Sequence, residues 1–281
     1  MLYKYMEYFD PKTTKYAYPE YTDGHYLEVK KDDGTVFDEN YPYVDKSKGF
    51  KFKQFWTRVL IVLIVFPMTK IRLGLKITGR QNIKKNKEAL SHGAITIANH
   101  VHMWDYLSVM MATRYRWPYL LSWMKNVSGE SGPLVRMVGG IPIPENNLKA
   151  TMKFVNAVDG VLKEGKFVHI YPEGSMWEYY APIRPFKNGA FYFAVSNHVP
   201  VIPMGFSYRK PGWIRRKIFK QIALFNLNIG EPLFVNASLD KKEQELDLIK
   251  RAHEAICELA HIEKGKNIYS PIYNKSKKID Y

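Results

Sequence analysis

The chain has one cysteine, Cys257, among 281 residues, so no disulfide can close within it. That excludes a disulfide-stapled scaffold and fits a reducing compartment. Long apolar runs are also missing. No stretch reaches the roughly 18 to 20 uncharged residues that secure a bilayer-spanning helix. The opening MLYKYMEYFD carries acids and no apolar run of the kind a secretory leader needs. There is no G-x-S-x-G elbow, which weighs against a serine-nucleophile hydrolase. No repeat recurs at the periods of a solenoid.

What is present is positive charge. Lysine and arginine number 42 against 27 acids, a net charge of +15. Such an excess favours an anionic partner: nucleic acid, an anionic membrane surface, or an acidic carrier or substrate. A nucleic-acid binder concentrates its cations on one element or places stacking aromatics on strand faces. Here the cations are scattered and the strands are apolar on both faces, so nucleic acid is not an expected partner. Aromatic residues make up 15% of the chain, and tyrosine and tryptophan suit a bilayer interface as well as a core. The hydrophobic share of 46% is ordinary for a globular protein, and the length suffices for one large domain.

Four regions are expected: an extension over 1–50, a membrane-contacting amphipathic segment over 51–78, a catalytic domain over 79–265 and a basic tail over 266–281. In the second, the apolar run Val59 to Phe66 is closed by Pro67. It is flanked by Lys51, Lys53, Arg58, Lys70, Arg72 and Lys76, with Phe52, Phe55 and Trp56 at its entrance. That is the make-up of a helix lying in an anionic interface, although a buried helix or strand shares the apolar run. Beyond it the pattern alternates. Strands are expected at 94–98, 139–143, 167–174, 199–206, 221–230 and 232–235. Helices are expected at 106–115, 148–163 (stopped by Gly165), 189–197 and 239–264. Alternation of this kind implies an α/β fold, a central mostly parallel sheet flanked by helices, with the amphipathic helix in front.

Two motifs carry chemistry. In ANHVHMWDYL, His100 ends a strand and Asp105 opens a helix. Within one helix, residues at this spacing would sit about 140° apart. They meet only if His100 lies in the preceding turn. Asp105 then accepts from one ring nitrogen and leaves the other to take a proton. His102 keeps a metal alternative open, but H-x-H-x-x-D fits no familiar zinc spacing. In HIYPEGSMW, a strand ends at Pro-Glu-Gly, placing Glu173 and Gly174 at the sheet edge where α/β sites form. Alone, such a turn is a weak signal.

Together the motifs are specific. N-H-x-x-x-x-D followed about 70 residues later by Y-P-E-G-S resembles the glycerolipid acyltransferase family, the lysophosphatidic acid acyltransferases and their relatives. GGIPIPEN (139–146) looks like its second block, HVPVIPMGF (198–206) like its fourth, and RPFKNGAF (184–191) like the stretch before the fourth. The resemblance runs over about residues 75 to 235. It implies His100 as general base with Asp105 as its partner, acting on an acceptor hydroxyl that attacks the thioester of acyl-CoA or acyl-carrier protein. It implies a lysolipid acceptor, Asn99, Glu173, Gly174 and Ser175 on the substrate, no metal and no cofactor. The expected location is the cytoplasmic face of the cell membrane, peripheral or monotopic, against its anionic surface.

Two positions depart from the family pattern. Pro144-Glu145 stands where the second block usually ends in arginine, and Met176 where the third carries one. Both changes remove bidentate phosphate donors. Lys125, Arg136, Arg184 and Lys187 are the candidate replacements. Trp177, Tyr179 and Tyr180 are candidates to line a site for a sugar-bearing or uncharged acceptor. A non-catalytic membrane-binding protein of the same fold is the remaining alternative.

Overall fold

The computed structural model describes residues 32–113 and 116–262. The expected extension falls within them only from residue 32, and the expected tail over 266–281 lies outside the described residues. From residue 32 the chain lies against the domain: Phe37 and Tyr43 are buried, and Tyr43 packs edge-on against Phe154.

Helix α1 (Lys48–Leu60) opens at Ser47, whose side chain accepts from the Phe50 amide. It continues through a π turn (Ile61–Val65) into α2 (Phe66–Leu73), making one helix of 26 residues. Pro67 therefore does not close the segment. A proline inside a helix lacks an N–H and crowds the carbonyl four residues back. Here the turn before it is widened, with the Phe66 amide reaching back to the Ile61 carbonyl. The continuous element is long and apolar enough to cross a membrane by length and composition, which the uncharged run alone is not. Only 11% of its most apolar stretch is buried. One stripe (Gln54, Ile61, Thr69, Leu73) faces the domain, and Phe66 stacks on Trp117. The other stripe exposes Phe52, Trp56, Leu60, Leu63 and Met68. Gly74, with φ 55°, ends α2 in the left-handed conformation.

The remaining elements are β1 (Lys76–Thr78), α3 (Arg80–Lys85), β2 (Ala94–Ala98), α4 (Asp105–Ala112), β3 (Tyr119–Trp123), α5 (Met124–Ser128) and α6 (Gly132–Met137). They continue with β4 (Gly140–Ile143), α7 (Leu148–Lys163), β5 (Phe167–Ile170), α8 (Gly189–Ser196), β6 (Val201–Arg209), α9 (Trp213–Lys217), β7 (Leu224–Ile229) and α10 (Lys241–Ala260). Among the described residues the strands form one seven-stranded sheet in the order β1-β7-β6-β2-β5-β3-β4. From β6 to β4 all neighbours are parallel; β7 runs antiparallel to β6, and β1 parallel to β7. The expected mostly parallel α/β sheet is thus present. It begins inside the segment assigned to membrane contact, since β1 is Lys76–Thr78. The strand expected over 232–235 is reduced to a single bridge between Val201 and Leu233.

Strand β2 is buried at all five positions, as a central parallel strand covered on both faces must be. Ile95 and Ile97 point into a core shared with Phe154, Val158, Phe191 and Ile256 from α7, α8 and α10. Ala94 and Ala98 point the other way, toward Val109 and Met110 of α4 and Phe225 of β7. The chain leaves β2 through α4 to β3, then fills the gap with β5, then crosses past β2 to β6. The connections from β2 and β5 therefore diverge, which opens a crevice at the carboxyl ends of these two strands. The register sets what meets there. Ile97 pairs with Ile170, so three residues on His100 stands level with Glu173.

Candidate active site

His100 sits in the turn between β2 and α4, and its Nδ1 lies 2.9 Å from Asp105 Oδ2. The same oxygen accepts the backbone amides of Val101 at 2.9 Å and His102 at 3.1 Å, and Oδ1 accepts the Tyr171 hydroxyl at 2.8 Å. Asp105 is 1% exposed. Burial alone would push its carboxyl up. The adjacent His100 and the hydrogen bonds from His100, Tyr171 and Val101 outweigh that and hold it below the ordinary carboxylate value. An ionised carboxylate only accepts, so Nδ1 carries the ring proton and Nε2 presents a lone pair. The His100 side chain is 22% exposed, and its ring stacks on Tyr171 with centroids 3.7 Å apart. The arrangement is an oriented base with one open nitrogen.

Tyr171 escaped the sequence reading. Its only signal there is a place two residues before Glu173, and its role depends on the β2–β5 register. Burial, then the charge and hydrogen bond of Asp105, push its phenol well up, so it stays a donor. Beneath it His169 is fully buried, its Nδ1 2.9 Å from Thr96 Oγ1, and burial pushes its pKa down to about 3. His102 faces Glu178, with Nε2 3.6 Å from Glu178 Oε1. Its Nδ1 accepts the Trp104 amide, its ring packs edge-on against Phe225, and burial lowers its pKa to about 4. His102 is thus a neutral wall residue rather than a second base. Among the described residues, no three His, Cys, Asp or Glu side chains gather as metal ligands.

Glu173 lies beside His100. Its Oε2 accepts the His100 amide at 3.3 Å and an Arg184 guanidinium N–H at 2.8 Å, and its Oε1 accepts the Arg184 amide at 3.1 Å. Gly174 follows with φ 82°, a conformation that favours glycine. A Cβ there would meet Lys187 Cε and Nζ, each at 2.9 Å, so the Lys187 side chain lies over this turn. The Lys187 amide donates to the Pro172 carbonyl. The segment after Gly174 is stitched to the His100 turn: the Trp177 amide donates to the His100 carbonyl and the Tyr179 amide to the Val101 carbonyl.

Several expected substrate contacts are placed otherwise. Asn99 turns into the sheet, where its amide bonds the Phe206 backbone in both directions. It extends the β2–β6 pairing where the strands part. Arg184 is buried, donating to Glu173 and to the Ser175 hydroxyl and carbonyl while lying over the Trp177 ring. Ser175 is therefore an acceptor within the wall. Arg136 stands at the start of β4, the amino edge of the sheet and opposite His100, with its guanidinium on the Pro42 and Tyr43 carbonyls. Lys125 is exposed beyond the carboxyl end of β3, over Trp123. Trp177 and Tyr179 are buried, so they brace the site rather than line it.

Residues 74–207 match the acyltransferase family model. This stretch is similar to the acyltransferase domains of that family. It is similar to human 1-acyl-sn-glycerol-3-phosphate acyltransferase beta, 30% identical over 115 residues that cover 40% of this chain and 41% of that protein. The matched stretch is thus less than half the length of that relative. Among solved structures, the 1-acyl-sn-glycerophosphate (LPA) acyltransferase PlsC from Thermotoga maritima superposes with a TM-score of 0.48. That match is 17% identical and covers 76% of this chain and 83% of that one. His100, Asp105, Glu173 and both crevice strands lie inside the matched stretch, whereas α1 and α2 precede it.

Proposed function

We propose that the protein transfers a fatty acyl group from acyl-CoA or acyl-carrier protein to the hydroxyl of a lysophospholipid, in phospholipid biosynthesis, with 1-acyl-glycerol-3-phosphate as acceptor. The observation that carries this reading is the buried Asp105 carboxylate on His100 Nδ1 at 2.9 Å, which leaves Nε2 open at the crevice. Nε2 takes the acceptor's hydroxyl proton as its oxygen attacks the thioester carbonyl. The tetrahedral intermediate collapses, the C–S bond breaks, and the imidazolium returns the proton to the departing thiolate. Asp105 holds the tautomer and stabilises the imidazolium. A thioester is already activated, so a base and good positioning suffice.

Glu173 and Arg184 set the turn behind His100. Lys187, lying over Gly174, is the candidate for the acceptor's phosphate. A second reading, an acceptor without phosphate, is favoured by Met176 at the family's arginine position and by the engagement of Arg136 and Arg184 elsewhere.

Membrane association belongs to the same proposal. Helix α1–α2 is held along one stripe by the domain, and its exposed stripe is apolar between basic flanks. A helix so held lies in the interface rather than crossing it. We place it on the cytoplasmic face against an anionic surface.

The test is transfer of labelled acyl groups from both donors to a panel of lysolipids, wild type beside Lys187→Ala. The expected result is transfer to lysophosphatidic acid, with Lys187→Ala raising KM roughly tenfold at similar kcat. Transfer to uncharged acceptors alone would move the acceptor to the second reading. No transfer from either donor would end the proposal.

A further inference from the structure

The loop between β6 and β7 is apolar and basic at once, and it is exposed. Trp213 is 70% exposed and Phe219 59%, with Ile214 and Ile218 beside them. Five cations and no acid lie between Lys210 and Lys220: Lys210, Arg215, Arg216, Lys217 and Lys220. A soluble face does not ordinarily gather large apolar side chains in this way.

The loop is fastened to the end of α2. Arg215 donates to the Ile71 carbonyl at 2.9 Å, and Gln221 donates to the Ile71 and Arg72 carbonyls. The Ile71 carbonyl also accepts the Gly74 amide, and the Arg72 carbonyl is one that a helix end leaves open. Between the two elements runs an apolar groove of about 720 Å³, lined by Ile71, Trp213, Ile214, Phe219 and Leu224. His100, Asp105 and Glu173 are not among its lining residues. On its other side Arg72 lies 5.2 Å from the ring of Trp104, in the His100 turn, and Met103 beside it is exposed.

From these contacts we infer that Trp213–Lys220 is a second bilayer-docking element, set in one plane with α1–α2, and that the plane meets an anionic lipid surface with the His100 turn at its border. The inference rests on the membrane reading of α1–α2 given above. Aromatic and aliphatic side chains enter the acyl boundary while cations stay at the headgroups. Each cation near an anionic surface adds to the attraction. The charge pattern selects lipid over a protein partner, because an apolar interface between proteins is depleted of lysine.

The test uses the full chain and vesicles of phosphatidylcholine with phosphatidylglycerol, compared with pure phosphatidylcholine, in a co-sedimentation titration. Trp213→Ala with Phe219→Ala is expected to weaken binding to the anionic vesicles roughly tenfold or more, with an unchanged melting temperature. Lys217→Glu with Lys220→Glu is expected to weaken it roughly tenfold, and to spare the weaker binding to phosphatidylcholine. Leu63→Asp, in the π turn between α1 and α2, provides the comparison. If Leu63→Asp abolishes binding while both loop variants bind like wild type, α1–α2 docks alone and the inference fails, with the membrane reading intact. If wild type binds neither vesicle, both fail. If wild type self-associates without lipid and the Trp213/Phe219 variant does not, the face is a protein interface and the inference is overturned.

Discussion

At the scale of residues, the site holds two histidines that are neutral in the fold, and this sets a pH dependence. His102 and His169 titrate at about 4 and about 3, against an ordinary value of 6.5. Below 6.5 the unfolded chain binds protons that the folded one does not. Stability therefore falls as pH drops, from 6.5 toward 4 for His102 and toward 3 for His169. The expected loss at pH 5 is about 2 kcal/mol for each. Asp105 acts in a lower window: its folded value lies below 3.8, so its contribution is present above that and is lost as pH falls through it. Thermal denaturation between pH 7 and pH 5 checks this, and a His102→Gln variant should show a flatter slope. Arg184 gives a second prediction. Arg184→Met leaves Glu173 buried without its partner and should cost about 3 kcal/mol or more, read as a lower melting temperature. An unchanged melting temperature with a raised KM would return Arg184 to the substrate. His100 and Asp105 were legible because a short turn contains both. Tyr171, His169 and the Glu173–Arg184 pair were not, because strand register and a loop fold bring them together.

At the scale of elements, the sequence carried most of what local rules govern. Helix α7 matches its expected span over 148–163, ended by Gly165 as expected. Helix α10 opens at Asp240 with a reciprocal cap to Glu243. Asp240→Ala should destabilise the protein by about 1 kcal/mol, measured by urea unfolding; no change in midpoint would show the cap to be idle. Pro67 misled the reading because a π turn is not visible in composition. Strand β3, Tyr119–Trp123, has no distinct signal in sequence, because five mostly apolar residues fit a strand or a buried helix turn equally. Arg136 is a substrate candidate in sequence because its position at the amino edge of the sheet depends on the direction of β4, which no local pattern states.

At the scale of the molecule, the membrane proposal has the +15 charge and the exposed stripe of α1–α2 act together. Vesicle binding should therefore weaken with ionic strength, because salt screens exposed charges within about 10 Å at 0.1 M. Binding to anionic vesicles that is unchanged between low and high salt would leave the charge excess without a role there. The doubly covered parallel sheet was legible from apolar strands alternating with helices. Of the membrane-facing plane proposed above, α1–α2 announces itself in sequence, whereas the β6–β7 loop gains meaning only from its contact with Ile71.

The central claim is that His100 is the base and Asp105 holds it. It is tested most directly by the acyl-transfer rate of His100→Ala and Asp105→Asn beside wild type, with melting temperatures taken on the same preparations. The account predicts that His100→Ala stays folded and loses about a thousandfold or more in kcat, with Asp105→Asn following in the same direction. A folded His100→Ala that transfers acyl groups at the wild-type rate would contradict it.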